Sequence, residues 1–196
     1  MERKGKYLFF DIECSNGHSI CSFGFCIVDK DLKLISKKDL LINPEDKFIL
    51  AAIGHRPKIE LAYPVEQFYK QDNFSYYYEY IKNLLTNSKL TLIGHSVKSD
   101  FAFLNMACDR YKLPRLPLSA YDTQKMFLIL YKRPHVESLE NIINQLEIDT
   151  SSLTFHRSCD DAKATFLIAK ELCWQQNQTF EELLQSRNDC LFKSQN

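Results

Sequence analysis

With 196 residues and a mass of 23.0 kDa, the chain has the length of one domain able to bury a sizeable core. Hydrophobic residues make up 45% and charged residues 26%, a balance that excludes an intrinsically disordered chain. The 25 basic residues equal the 25 acidic ones, so overall charge excludes non-specific retention of long nucleic acid, and any such partner must be recognised at a local site.

Tyr7 to Glu13 is short, apolar and rich in aromatic residues, and predicts a strand. A turn at Ser15-Asn16-Gly17 leads to a second strand over 20–28, and Asp29-Lys30-Asp31 to a third over 32–42. Short turns between successive strands imply an antiparallel meander, closed by Asn43-Pro44. Residues 44–72 show no period, because Gly54, Pro57 and Pro64 interrupt it. A helix is predicted over 74–85, a fourth strand over 89–93, and a helix after Gly94-His95-Ser96 that ends at Pro114. A fifth strand over 116–121 follows, then helices over 122–130, 138–146, 158–174 and 179–185, with a frayed end from Lys193 to Asn196. Strand–helix–strand units favour parallel pairing in the second half. The expected architecture is α/β: a mixed five-stranded sheet, antiparallel meander first and parallel strands after, flanked by helices. One domain over 1–196 is expected, with its core from about residue 6 to 175 and a C-terminal helix and tail over 176–196.

No stretch approaches the roughly 18 apolar residues of a membrane-spanning helix, so no membrane partner is expected. The N-terminal Met1-Glu2-Arg3-Lys4-Gly5-Lys6 runs into a strand rather than the apolar core of a signal peptide. The seven cysteines are odd in number, irregularly spaced and without a C-x-x-C pair. Cys21 and Cys26 would face opposite sides of a strand and could not share a metal. Reduced thiols in a cytoplasmic protein are the reading these features support.

Three groups of residues carry chemistry. In Asp11-Ile12-Glu13, strand alternation sends both carboxylates to one face and Ile12 to the other. Two adjacent acids are tolerable if solvated or if a cation neutralises them. Asp100 falls in the first turn of the helix after strand four, where the helix dipole alone accounts for an acid but where open α/β sheets also place their sites. In His156-Arg157-Ser158-Cys159-Asp160-Asp161, Ser158 and Asp161 match a helix-start capping pattern. Helical spacing also sets Asp161 on the side of Thr165, Ile168 and Leu172, an inward stripe where a carboxylate needs a partner. Asp160, about 100° away around the helix, points elsewhere and is accounted for by the dipole. Arg157, Lys98 and Lys163 are readable either as phosphate holders or as solvated charges.

Taken in order, D-x-E on the first strand, a lone Asp after the fourth and H-x4-D opening the last long helix resemble the DEDDh family of 3′–5′ exonucleases. These are relatives of the proofreading subunit of bacterial DNA polymerase III and of ribonuclease T. The resemblance covers roughly residues 6–175 and extends to Tyr121-Asp122-Thr123, to Ser138-Leu139 and to His156-Arg157 with Asp161-Ala162. It implies a ribonuclease H-like fold and a catalytic set of Asp11, Glu13, Asp100, His156 and Asp161. The four acids are then ligands of two divalent cations, Mg²⁺ or Mn²⁺, whose preference is for oxygen donors. Such a pair, about 3.5–4 Å apart, activates water and stabilises the leaving 3′-oxygen. His156 is the implied general base, since an imidazole pKa near 6.5 leaves it mostly neutral at pH 7.

Two departures bear on substrate binding. Ser96 stands where relatives commonly have Asn, and the turn after the glutamate, Cys14-Ser15-Asn16-Gly17-His18, is one residue longer than theirs. Ser15, His18 and Ser96 are therefore the candidate substrate-binding residues. The implied reaction releases nucleoside 5′-monophosphates from the 3′ end of single-stranded DNA, with a polymerase or repair assembly as a partner class. RNA trimming is the alternative, because these motifs do not report the sugar. A catalytically silent module that binds nucleic acid or a polymerase is a third reading, against which the complete set of five residues argues.

Overall fold

A computed structural model describes residues 5–49, 51 and 61–194. The meander forms as expected: β1 (Lys6–Cys14), β2 (Ile20–Asp29) and β3 (Leu34–Leu41) pair antiparallel in chain order. β4 (Leu90–Gly94) then pairs parallel with β1, and β5 (Ser119–Asp122) parallel with β4. A further strand, β6 (Leu191–Lys193), pairs antiparallel with β5, so the order is β3-β2-β1-β4-β5-β6 and the sheet has six strands, not five.

β6 is a correction with a plain cause. Three residues are too few for an alternation to be read, and the strand exists because the outer edge of β5 offers unpaired backbone groups. The tail is consequently held through Ser194, whose N–H donates to the Leu118 carbonyl at 2.9 Å. Gln195 and Asn196 lie outside the described residues, as do Met1 to Lys4, Gly54 and Pro57.

β1 is central, and its alternation builds two apolar layers. Leu8, Phe10 and Ile12 pack with Ile81 of α2 (Phe74–Leu85) and Leu104 of α3 (Val97–Arg110). Tyr7 and Phe9 pack on the other side with Phe127 of α4 (Thr123–Leu130) and Ile142 of α5 (Leu139–Gln145). That layer is completed by Ile168 of α6 (Ser158–Gln176) and Phe180 of α7 (Phe180–Ser186). Each such side chain contributes about 1.5–3 kcal/mol through burial. No described helix is long and apolar enough to cross a membrane, and the seven cysteines are buried free thiols.

Candidate active site

The apolar stripe Tyr7, Phe9 on β1 continues, two residues at a time, into Asp11 and Glu13. The β1–β2 register slips just beyond, with Glu13 opposite Ser22 but Cys14 opposite Ile20. Such a bulge bends a strand end and re-aims its side chains. Opposite Asp11 stands Gly24 of β2, and a Cβ there would lie 2.0 Å from the Cys159 nitrogen and 2.1 Å from the Ser158 carbonyl carbon. Only a glycine lets the start of α6 lie directly on the sheet beside the acids.

That approach brings Asp161 to Glu13. Ligand atoms of Glu13, His156 and Asp161 all lie within 4.8 Å of one another. Ser158 does not cap the helix: the N-cap is Arg157, and the Ser158 hydroxyl bonds that of Ser22 instead. The capping pattern therefore does not account for Asp161, whose Oδ1 is buried with no hydrogen-bond partner among the described residues. His156 adopts a left-handed backbone, φ 61°, a strain of order 1–3 kcal/mol for a residue with a Cβ.

Asp100 arrives from the opposite side. The N-cap of α3 is Ser96, itself left-handed and without a capping side chain. Asp122 does that work: its carboxylate accepts from the N–H groups of Ser96 at 3.2 Å, Val97 at 3.0 Å and Gln124 at 2.9 Å. One acid thus ties the starts of α3 and α4 together and fixes Asp100. Beside it His95 bridges Thr123 and the Glu137 carbonyl, and burial lowers its pKa to about 4, so it is neutral.

The electrostatics are those of acids forced together. Burial, then Glu13, Asp100 and Asp161, raises the Asp11 pKa well above the carboxylate range, and Asp11 Oδ2 is also buried without a partner among the described residues. Burial, then Asp122 and Glu13, raises Asp100. Burial and Glu13 push Asp161 up to about 7. His156 is raised by the Glu13 carboxylate, 3.7 Å from its Nδ1, against burial. Two like charges 4 Å apart repel by about 4 kcal/mol at an effective dielectric of 20, more than the 1 kcal/mol or less of a surface ion pair. Orphaned carboxylate oxygens and mutual repulsion fit hard divalent cations, which take oxygen ligands.

The substrate-binding candidates are not brought together. Ser15 is fully buried, its N–H donating to the Ser19 carbonyl, so it holds the turn and does not face a cleft. His18 is exposed and lines a cavity of about 20 Å³ with Phe74, Met106 and Arg110. That is room for a water at most, at the end of α3 about 15 Å along its axis from Asp100. Ser96 is half-buried, its hydroxyl 3.2 Å from that of Ser99.

Strand patterning does not single out Asp39 on β3, although it lies in one row with Gly24 and Asp11. It is nearly buried and bonded by Ser22 and Tyr63. A glycine inside an apolar strand is the one signal of close approach that was readable, at Gly24.

The family model for the DNA polymerase III subunit epsilon-like, C-terminal domain (DEDDh_C) matches residues 54–172. No curated protein matches the chain by sequence. Among solved structures, the nuclease domain of 3'hExo, a DEDDh family member bound to rAMP, superposes with a TM-score of 0.69 at 16% identity, covering 89% of this chain and 94% of that one. Exonuclease X in complex with 5' overhanging duplex DNA gives 0.63 at 15% identity, covering 90% and 96%. Exonuclease I gives 0.68 at 19% identity, over 93% of this chain and 44% of the larger one. At these identities the likeness establishes the fold, that of the ribonuclease H-like exonucleases.

Proposed function

Since the chain belongs to the DNA polymerase III epsilon-like DEDDh family of 3′–5′ exonucleases, enzymes that hydrolyse phosphodiester bonds, we propose that it removes nucleotides one at a time from the 3′ end of single-stranded DNA. The products are nucleoside 5′-monophosphates. The observation that carries this reading is the convergence of Glu13, Asp161 and His156, with orphaned oxygens on Asp11 and Asp161.

Asp11, Glu13, Asp100 and Asp161 would hold two Mg²⁺ or Mn²⁺ ions, which would supply charge neutralisation, water activation and stabilisation of the leaving 3′-oxygen. His156 is the general base: its imidazole, beside Glu13 and Asp161, would take the proton of the attacking water. Asp122 orients Asp100 by holding the first N–H groups of α3. The described chain forms one catalytic unit, with the C-terminal segment closing the sheet edge through β6. Buried reduced thiols suit a cytoplasmic enzyme.

DNA is the first choice because the matching family model is that of a DNA polymerase subunit, which also makes a polymerase or repair assembly the partner class. RNA is the second reading, favoured by the rAMP complex of the 3'hExo nuclease domain. Matched single-stranded DNA and RNA oligomers, 3′-blocked and 5′-blocked, test all of this. Metal-dependent release of mononucleotides from free 3′ ends, faster on DNA, is expected. Faster RNA cleavage would reverse the substrate assignment, and chelator-resistant cleavage at a comparable rate would overturn the two-metal reading.

A further inference from the structure

His156 is held in a left-handed backbone conformation at the end of a loop, and it is the residue whose placement over the acids matters most. The next residue, Arg157, is anchored although its side chain is 41% exposed. Its Nε donates to the Tyr63 hydroxyl at 2.6 Å, and its guanidinium lies 5.3 Å from the centre of the Tyr63 ring. The Tyr63 hydroxyl in turn donates to Asp39 Oδ2 at 3.0 Å, while Ser22 donates to Asp39 Oδ1 at 3.1 Å. Arg157 Nε is also 3.7 Å from Asp39 Oδ2. The Arg157 carbonyl accepts from the N–H groups of both Asp160 and Asp161, at 2.6 and 3.0 Å. One residue therefore sits between the His156 backbone and the Asp161 backbone, fastened to two strands.

We propose that Asp39, Tyr63 and Arg157 form a clamp that holds the His156 imidazole in register with the acid cluster, which makes Tyr63 and Asp39 positioning residues for the reaction. This rests on His156 being the base. Docking of α6 itself does not require the clamp. Its buried face, from Ala162 through Ile168 to Leu172, packs on the sheet, and the Lys37–Asp160 ion pair and the Ser22–Ser158 bond fasten its first turn in addition to the Arg157–Asp160 contact. What the clamp adds is a restraint on the left-handed residue just before the helix, whose ring also lies 3.7 Å from Glu13 and 3.8 Å from Glu140. A lysine at 157 could not replace it, because a single ammonium lacks the planar fork that bonds a phenol while stacking on its ring.

The test is a cycle of Tyr63→Phe and His156→Ala, assayed on a single-stranded oligonucleotide at saturating Mn²⁺. Tyr63→Phe removes one hydroxyl and keeps the ring. In the parent chain it is expected to lower kcat roughly tenfold with KM within about twofold, as a misplaced base does. In the His156→Ala chain it is expected to change nothing, because the group it positions is gone. Equal losses in both backgrounds, or full activity of Tyr63→Phe in the parent, overturn the clamp. Asp39→Asn gives a second reading by the same criterion, should the tyrosine variant be too unstable to assay. A parent chain that does not cleave, or a His156→Ala chain that cleaves at the parent rate, overturns the base assignment and the clamp with it. The loss of the clamp alone leaves the exonuclease reading standing.

Discussion

Asp160 and Asp161 stand side by side in the first turn of α6, yet one carboxylate is neutralised by Lys37 and Arg157 while the other keeps an oxygen without a partner among the described residues. Asp160 is 2% exposed and also accepts from the Thr154 N–H, so it stands outside the Glu13–His156–Asp161 group as expected, but the helix dipole alone does not account for it. Asp161→Asn is expected to abolish cleavage while leaving the fold intact. Asp160→Asn is expected to retain the chemistry and lose about 1.5–3 kcal/mol of stability, the range for hydrogen bonds to a charged group. Activity assays paired with denaturant unfolding separate the two; inactivation by Asp160→Asn with Asp161→Asn active would mean the helix register is misassigned. At the neighbouring His156, the proposed base, His156→Ala is expected to cut turnover by roughly 10²–10⁴-fold. Calorimetric titration with Mn²⁺ should show nearly unchanged affinity, and a near-normal rate would reassign the base.

Among the elements, the approach of α6 to β2 decides whether an active site exists at all. At Gly24 the extra methyl of Gly24→Ala would meet backbone atoms, not a flexible side-chain tip, so helix or strand must move. Overpacking usually costs about 1–3 kcal/mol, and a backbone clash belongs at or above the top of that range. The expected outcome is a thermal midpoint lower by roughly 6–12 °C, from about 2–4 °C per kcal/mol at this length, with cleavage lost even well below the new midpoint. An unchanged midpoint with normal cleavage would show that α6 is not seated as described. The junction at Gly94-His95-Ser96 is the second such point, where Asp122 supplies the cap that Ser96 does not.

For the whole molecule, four acids brought to one end of a sheet exchange stability for function. Asp11, Asp100 and Asp161 all have folded-state carboxyls that ionise less readily than in the unfolded chain. A carboxyl raised in the fold destabilises it once ionised, so this penalty is full above the folded pKa and disappears as pH falls below the unfolded one. For Asp161 the window runs from about 7 down toward 3.8. In thermal melts with chelator, Asp11→Asn and Asp100→Asn are therefore expected to be inactive yet more stable than the parent at pH 8, with the difference shrinking toward pH 5. Adding Mn²⁺ should raise the parent midpoint, by the equivalent of about 2.7 kcal/mol at a hundred times the dissociation constant. A metal-free parent at least as stable as both variants at pH 8 would contradict the repulsion.

Local rules account for what was legible in the chain. Strand alternation places Asp11 and Glu13 on one face, and the 3.6-residue period places Asp161 on the buried side of α6, because both depend only on near neighbours in sequence. The meander and the strand–helix alternation followed from the same short-range patterning. Contacts between distant segments decided the rest. Asp160 is buried because Lys37, 123 residues away, reaches it, and Tyr63 matters through Arg157, 94 residues on. β6 forms because β5, in the middle of the chain, leaves an edge open. Ser15 is buried because its turn folds inward. Periodicity records which face a residue takes, whereas a hydrogen-bond partner, a close approach at a glycine or an edge pairing exists only once the chain has closed on itself.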